Sequence, residues 1–254
     1  MESGKILPGA EPVFKKGNEI GFLFLHGFTA SPFEGKELAE RLQRETGCTI
    51  SLPLLPGHGT APANLKNVRW LDWYMSAREK YLELEKSCEK VVVCGQSMGA
   101  ALALHLASHH KPAGVISLAG AVFLIDWRLR LLPLARHFIP YQHKSKGPDI
   151  RNKEIKSRIP TYYKYPIRSV DELLGLLRHT REDLPEITAP ALLLHSRKDR
   201  TVQFSNLQYI YDHISSSEKE KVELEESYHL ISLDVEKEIV YRKIYQFMKT
   251  LTGQ

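Results

Sequence analysis

Apolar positions fall into short unbroken runs, separated by longer stretches in which they recur every three or four residues. The runs at 21–25, 48–52, 90–94, 114–118 and 191–195 are strand-length and apolar almost throughout, and 221–224 is a shorter sixth. Between them the period becomes helical. Phe33, Leu38, Ala39 and Leu42 mark a helix over 32–45, and Trp73, Tyr74, Ala77, Tyr81 and Leu84 one over 70–86. Further helices are predicted over 98–109, 202–214 and 236–251. Continuous apolar strands alternating with helices predict an α/β fold, with a mostly parallel sheet covered on both faces and right-handed crossovers.

The interval 123–188 breaks this rhythm. It has no strong strand, and it holds Pro133, Pro140, Pro148, Pro160, Pro166 and Pro185. It is too long for plain loop and predicts a small helical cap. The expected organisation is a core of 1–122 and 189–254, with a cap (lid) inserted at 123–188.

Composition narrows the class. With 254 residues, 43% hydrophobic and 26% charged, the chain reads as one soluble globular domain. No run approaches the roughly 20 apolar residues of a membrane span. The start, Met1-Glu2-Ser3-Gly4-Lys5, lacks the apolar core of a secretory leader, so the expected location is cytoplasmic. Cys48, Cys88 and Cys94 fit neither a disulfide framework nor a zinc site, and reduced thiols are expected. The net charge of +5 is local, because 126–183 carries thirteen Lys or Arg against seven Asp or Glu. No nucleic-acid-binding motif accompanies it. The basic segment suits an anionic substrate or a transient contact with a lipid surface; an ordinary solvated helical face is the alternative.

The candidate chemistry starts at Gly95-Gln96-Ser97-Met98-Gly99, a G-x-S-x-G between an apolar strand and a helix. A serine hydroxyl is a poor nucleophile unless it is exposed and paired with a base. A sharp strand-to-helix turn puts Ser97 at the tip, and glycines two residues to either side relieve crowding there. The following helix aims its positive end at the site. A nucleophile in this setting is followed in chain order by an acid and then a base. Asp199, just after a late strand, is the expected acid, and His229, in the loop after the last strand, the expected base. Asp212 lies within a helix pattern, Asp234 reads as the N-cap of the closing helix, and His195 reads as a packed core residue. An oxyanion needs two preorganised N–H donors. The Met98 amide supplies one, and the Phe28 amide, in His26-Gly27-Phe28-Thr29, the other. His26 then lies under that loop as a structural residue. Phe28, Met98, Phe138, Tyr141, Tyr162, Tyr163 and Tyr165 either line an acyl pocket or simply pack. Tyr162 and Tyr163 are the named pocket candidates.

Leu25-His26-Gly27-Phe28-Thr29, Leu55-Pro56-Gly57-His58-Gly59-Thr60, Gly95-Gln96-Ser97-Met98-Gly99 and Ser227-Tyr228-His229 together resemble the α/β-hydrolases, closest to the bacterial carboxylesterase and monoacylglycerol lipase group. The resemblance runs from about residue 20 to the end. It implies Ser97, Asp199 and His229 as triad, Phe28 and Met98 as oxyanion hole, no metal or cofactor, and a mobile cap over an apolar acyl channel. The expected activity is hydrolysis of a small-molecule or lipid carboxylic ester through an acyl-enzyme. A lysophospholipase or thioesterase using the basic cap is the alternative, and a non-catalytic binding protein of the same fold a remote one. Oligomeric state is left open.

Overall fold

Successive side chains of a strand point to opposite faces, and strand β2 (Ile20–Leu25) sorts its residues accordingly. Phe22 and Phe24 enter one apolar cluster, Leu23 and Leu25 the other. The computed structural model describes residues 4–126, 129, 131, 132, 138–144 and 147–253. Strands β1 (Val13–Lys15), β3 (Thr49–Leu52), β4 (Lys90–Gln96) and β5 (Gly114–Leu118) belong to the same sheet. So do β8 (Ala191–Ser196) and β9 (Lys219–Leu224), in the order β1-β3-β2-β4-β5-β8-β9. All pairs are parallel except β1 with β3.

Helices α1 (Phe33–Thr46) and α7 (Lys237–Thr252) cover the face of Phe22, Phe24, Ile116 and Leu194. Helices α2 (Trp70–Glu85), α3 (Met98–His109), α5 (Arg168–Asp183) and α6 (Ser205–His213) cover the other. Helix α3 is buried from Met98 through Ala107, because it is sandwiched between the sheet and the helices α2 and α5. An all-round apolar helix of small residues fits that central place. The mostly parallel sheet flanked by helices is the predicted fold class. The three cysteines are buried and free.

Three strands were not foreseen. Strand β1 is short and mostly exposed, and pairs on one side only, so it carries no apolar run to reveal it. Strands β6 (Tyr141–His143) and β7 (Lys164–Pro166) form an antiparallel pair within the interval expected to be helical. They are three residues each and separated by helix α4 (Lys153–Lys156). Pro166 ends β7, where a missing N–H costs no ladder bond. Strand β9 starts two residues earlier than predicted, at Lys219. As an edge strand with sequence Lys-Glu-Lys-Val-Glu-Leu it presents charge along its open side, which discourages further pairing.

Burial separates two substitutions. Leu42→Ala, at a fully buried α1 position, is expected to lower unfolding free energy by about 2–5 kcal/mol in urea titrations. Phe14→Ala, on a ring 64% exposed in β1, is expected to change it by no more than about 0.5 kcal/mol.

Candidate active site

The turn between β4 and α3 places Ser97 at φ 58 and ψ −116, a left-handed conformation that a side chain rarely adopts. Crowding explains the flanking glycines. A β-carbon on Gly95 would meet the Gly99 carbonyl oxygen at 2.0 Å, and one on Gly99 would meet the Leu25 carbonyl oxygen at 1.9 Å. The Ser97 amide donates to the Leu118 carbonyl at 2.9 Å, and its carbonyl accepts from Ala100 and Ala101 as the helix starts. Neighbouring strand and helix thus hold the strained residue from both sides.

Asp199 follows β8, with its carboxylate fully out of solvent. Oδ1 accepts from the Thr201 and Val202 amides, each at 2.8 Å. Oδ2 accepts from His229 Nδ1 at 2.7 Å and lies 3.0 Å from His195 Nε2. Burial alone would raise its pKa; the His229 charge and the two imidazole hydrogen bonds outweigh it and hold Asp199 well below the ordinary carboxylate range. His195 is therefore more than a packed core residue, since its Nε2 proton is shared between Asp199 and the Val202 carbonyl at 3.2 Å. In His229, burial favours the neutral ring, but Asp199, with smaller contributions from Asp149 and Glu34, raises its pKa above the ordinary value. Donation through Nδ1 leaves Nε2 as the acceptor. Gln96, next to Ser97, donates through Nε2 to the His229 carbonyl at 2.9 Å, which ties the candidate base to the candidate nucleophile's own turn.

The loop 26–29 lies against the same turn. A β-carbon on Gly27 would come 3.5 Å from the Ser97 β-carbon. His26 is buried beneath it, as expected. It donates through Nδ1 to the Gly27 carbonyl and accepts the Leu55 amide at Nε2, and burial pulls its pKa down to about 4 despite the Gly27 bond. Among the described residues, neither the Phe28 nor the Met98 amide has an acceptor. Tyr162 is buried, and its hydroxyl donates to the Gly57 carbonyl at 3.0 Å while accepting from the Thr60 amide at 2.8 Å. Tyr163 is 61% exposed. The aromatic ring beside Phe28 from this part of the chain is Tyr165, with centroids 5.3 Å apart.

Sequence reasoning missed three charged residues here. Glu34, in the first turn of α1, is buried and accepts the Gly27 amide at 2.8 Å. Burial raises its carboxyl to about 7, opposed by that hydrogen bond and by His229 and Lys144. The Lys144 ammonium donates to Thr29 Oγ1 in the same loop. Burial lowers its pKa to about 8 against the opposing pull of Glu34. Asp234 is not the N-cap of the closing helix, which Glu236 occupies. Its buried carboxylate accepts the amides of Arg151, Asn152, Tyr228 and Val235, clamping the His229 loop to the 151–152 segment. A Glu in a helix's first turn and an Asp between Leu233 and Val235 carry no local signal of such partners.

The family model described as serine aminopeptidase, S33, matches residues 21–236. The chain belongs to this family of hydrolases. Over 253 residues the S33 chain is 33% identical to the thermostable monoacylglycerol lipase of Bacillus sp. (strain H-257), covering 99% of each sequence. It is 25% identical over 245 residues to a carboxylesterase of Bacillus subtilis (strain 168), covering 95% of this chain and 97% of that one. Among solved structures, one from a study of the metagenome-derived lipolytic enzymes LipS and LipT superposes with a TM-score of 0.92 at 32% identity, covering 97% of this chain and 100% of that one. The Paleococcus ferrophilus monoacylglycerol lipase shares the fold at a TM-score of 0.82 and 18% identity, covering 95% of this chain and 98% of that one. The fold is that of the α/β-hydrolases.

A base works only when neutral, so with His229 as the candidate base its raised pKa would set the acidic limit of activity. For ester hydrolysis by the S33 chain, kcat/KM is expected to fall with decreasing pH through an apparent pKa above the ordinary histidine value of about 6.5. Glu34→Gln, which removes a negative charge that favours the imidazolium, should move that limb to lower pH. Asp199→Asn should lower kcat by about 10⁴-fold. Steady-state pH profiles of the three proteins check all three outcomes.

Proposed function

We propose that this chain is a serine hydrolase of carboxylic esters, with monoacylglycerols as its leading substrate class. The observation that carries the reading is the 2.7 Å hydrogen bond from His229 to buried Asp199, with the His229 carbonyl held by Gln96, the residue before a left-handed serine on a G-x-S-x-G turn. In this mechanism Ser97 Oγ attacks the ester carbonyl, and His229 Nε2 takes its proton. The Phe28 and Met98 amides hold the oxyanion. The imidazolium, stabilised by Asp199, returns the proton to the departing alcohol. Water then attacks the acyl-enzyme with His229 again as base, and the acid is released. No step calls for a metal or cofactor.

The segment 123–188 acts as a cap over a core of 1–122 and 189–254. Support comes from its contacts with the oxyanion loop: Thr161 Oγ1 and the Tyr162 amide both donate to the Thr29 carbonyl, Lys144 donates to Thr29 Oγ1, and Tyr165 packs on Phe28. Tyr165 and Phe28 then form part of the acyl pocket, with Tyr163 at its outer edge and Tyr162 as the fastener of the cap to the 57–60 loop. The substrate class is supported by relatives named monoacylglycerol lipase and carboxylesterase. No helix among the described residues is long and apolar enough to cross a membrane.

A second reading rests on Lys144. A buried ammonium beside the oxyanion loop offers a counter-charge to a phosphate-bearing ester, which makes a lysophospholipid the alternative substrate. A rate panel of p-nitrophenyl esters from acetyl to palmitoyl, a monoacylglycerol, a lysophospholipid and an acyl thioester tests both. Long-chain esters and the monoacylglycerol are expected to be hydrolysed, and Ser97→Ala to lose on the order of 10⁶-fold in kcat. Wild-type rates in Ser97→Ala would sink the mechanism. A preference for the lysophospholipid that Lys144→Met removes would favour the second reading.

A further inference from the structure

Away from Ser97, the seam between α3 and α5 gathers groups that the proposed reaction does not use. His105 and His109 lie one turn apart on α3, and His179 and Asp183 one turn apart on α5. Residues four apart on a helix share a face, so each pair projects from one side of its helix. The helices touch at this level, because Thr180 Oγ1 donates to the Ala101 carbonyl at 3.2 Å. Asp183 Oδ2 is 2.7 Å from His105 Nδ1 and 3.5 Å from His109 Nε2. One donor atom from each of His105, His109 and Asp183 lies within 4.8 Å of the other two.

We propose that His105, His109 and Asp183 form a binding site for a zinc-type divalent cation that joins α3 to α5. The donor chemistry is two imidazoles and one carboxylate, which zinc accepts with a fourth position left to water. Ligands about 2.0–2.1 Å from a tetrahedral zinc stand about 3.3 Å from one another. The His109–Asp183 separation of 3.5 Å already matches, and His105 must withdraw slightly from Asp183. Ligation through Nδ1 requires the His105 tautomer with its proton on Nε2, so the hydrogen bond to Asp183 is given up when the cation binds. The surroundings stiffen the site. Trp70 and Tyr74 of α2 pack edge-on against His105, with centroids 5.5 and 4.6 Å away, and His179 stacks on Trp70 at 4.8 Å. Outer-shell packing of this kind holds ligand rings in place.

The consequence is mechanical. His105 lies eight residues beyond Ser97, about 12 Å along the helix axis, so the cation would touch no reacting atom. It would fasten the last turn of α5, a helix from the proposed cap segment, to α3, the helix that follows Ser97. A site open to solvent at His109 can load and release its ion without unfolding.

The experiment uses the full chain without a polyhistidine tag, stripped with a chelator and then titrated with Zn²⁺ by calorimetry at pH 7.5. Co²⁺ serves as a spectroscopic stand-in. The expected result is one equivalent bound, a thermal midpoint raised by several degrees, and visible absorption bands of four-coordinate cobalt. His109→Ala, whose ring is exposed, and Asp183→Asn should weaken binding by more than about 100-fold, since even outer-shell changes cost 10–100-fold. His213→Ala, at an exposed histidine elsewhere, should bind as wild type. Absence of stoichiometric binding, or binding that survives His109→Ala and Asp183→Asn, overturns the proposal. The readouts are stoichiometry, melting temperature and cobalt spectrum, so they stand whether or not the ester-hydrolase reading holds.

Discussion

The close approach of three backbones at one end of the sheet governs the rest of the reactive region. Strand β4 turns into α3 so near the end of β2 that the helix's second residue leaves no room for a side chain against the Leu25 carbonyl. Gly99 permits that contact, and Gly95 permits the turn to double back on it. Only then does Ser97 sit at φ 58 with its amide still hydrogen-bonded to Leu118. Strain of this kind costs about 1–3 kcal/mol and persists where surrounding structure over-determines it. The parallel pairing of β4 with both β2 and β5 supplies that constraint.

Buried carboxylates fasten the loops around this point. Glu34 holds Gly27, Asp199 holds Thr201 and Val202 as well as His229, and Asp234 holds amides from 151–152 and from the His229 loop. Glu236 adds the amides of Glu225, Glu226 and Ser227. A carboxylate taken out of water needs several donors to compensate, and a loop taken out of regular structure leaves several amides without acceptors. Each need meets the other. Bonds to a charged acceptor are stronger than neutral ones, at about 1.5–3 kcal/mol each, so segments without regular structure hold fixed positions. Two charges that hold the 26–29 loop, Glu34 at about 7 and Lys144 at about 8, are shifted toward neutrality because each is buried and only partly compensated by the other.

Local rules made most of the core legible. Runs of Val, Ile and Leu mark the central strands because they are buried on both faces, and the small residues of α3 mark a helix enclosed on all sides. Edge elements escaped notice for the opposite reason. Strands β1, β6 and β7 bury little, so their sequences carry little hydrophobic signal. The turn at Ser97 was readable because its glycines lie two residues away, and Asp199 and His229 because each follows a strand end. His195 is buried as expected, but its contact with Asp199 went unread because it depends on where β8 delivers Asp199, which no pattern of residue types encodes.

The sequence by itself determined the alternation of strand and helix, the parallel sheet and the strained turn. Each arises from the chemistry of a window of a few residues: side-chain period, β-branching, the freedom of glycine. Tertiary structure alone decided which polar groups meet. Gln96 reaches the His229 carbonyl across 133 residues of chain, Ser232 the Glu34 carbonyl across 198, and Asp234 the Arg151 amide across 83. Those pairings follow from how the sheet orders its strands and how far each loop extends past the strand ends. A hydrogen bond needs its partners within a few tenths of an ångström, and only the packed molecule sets distances that fine.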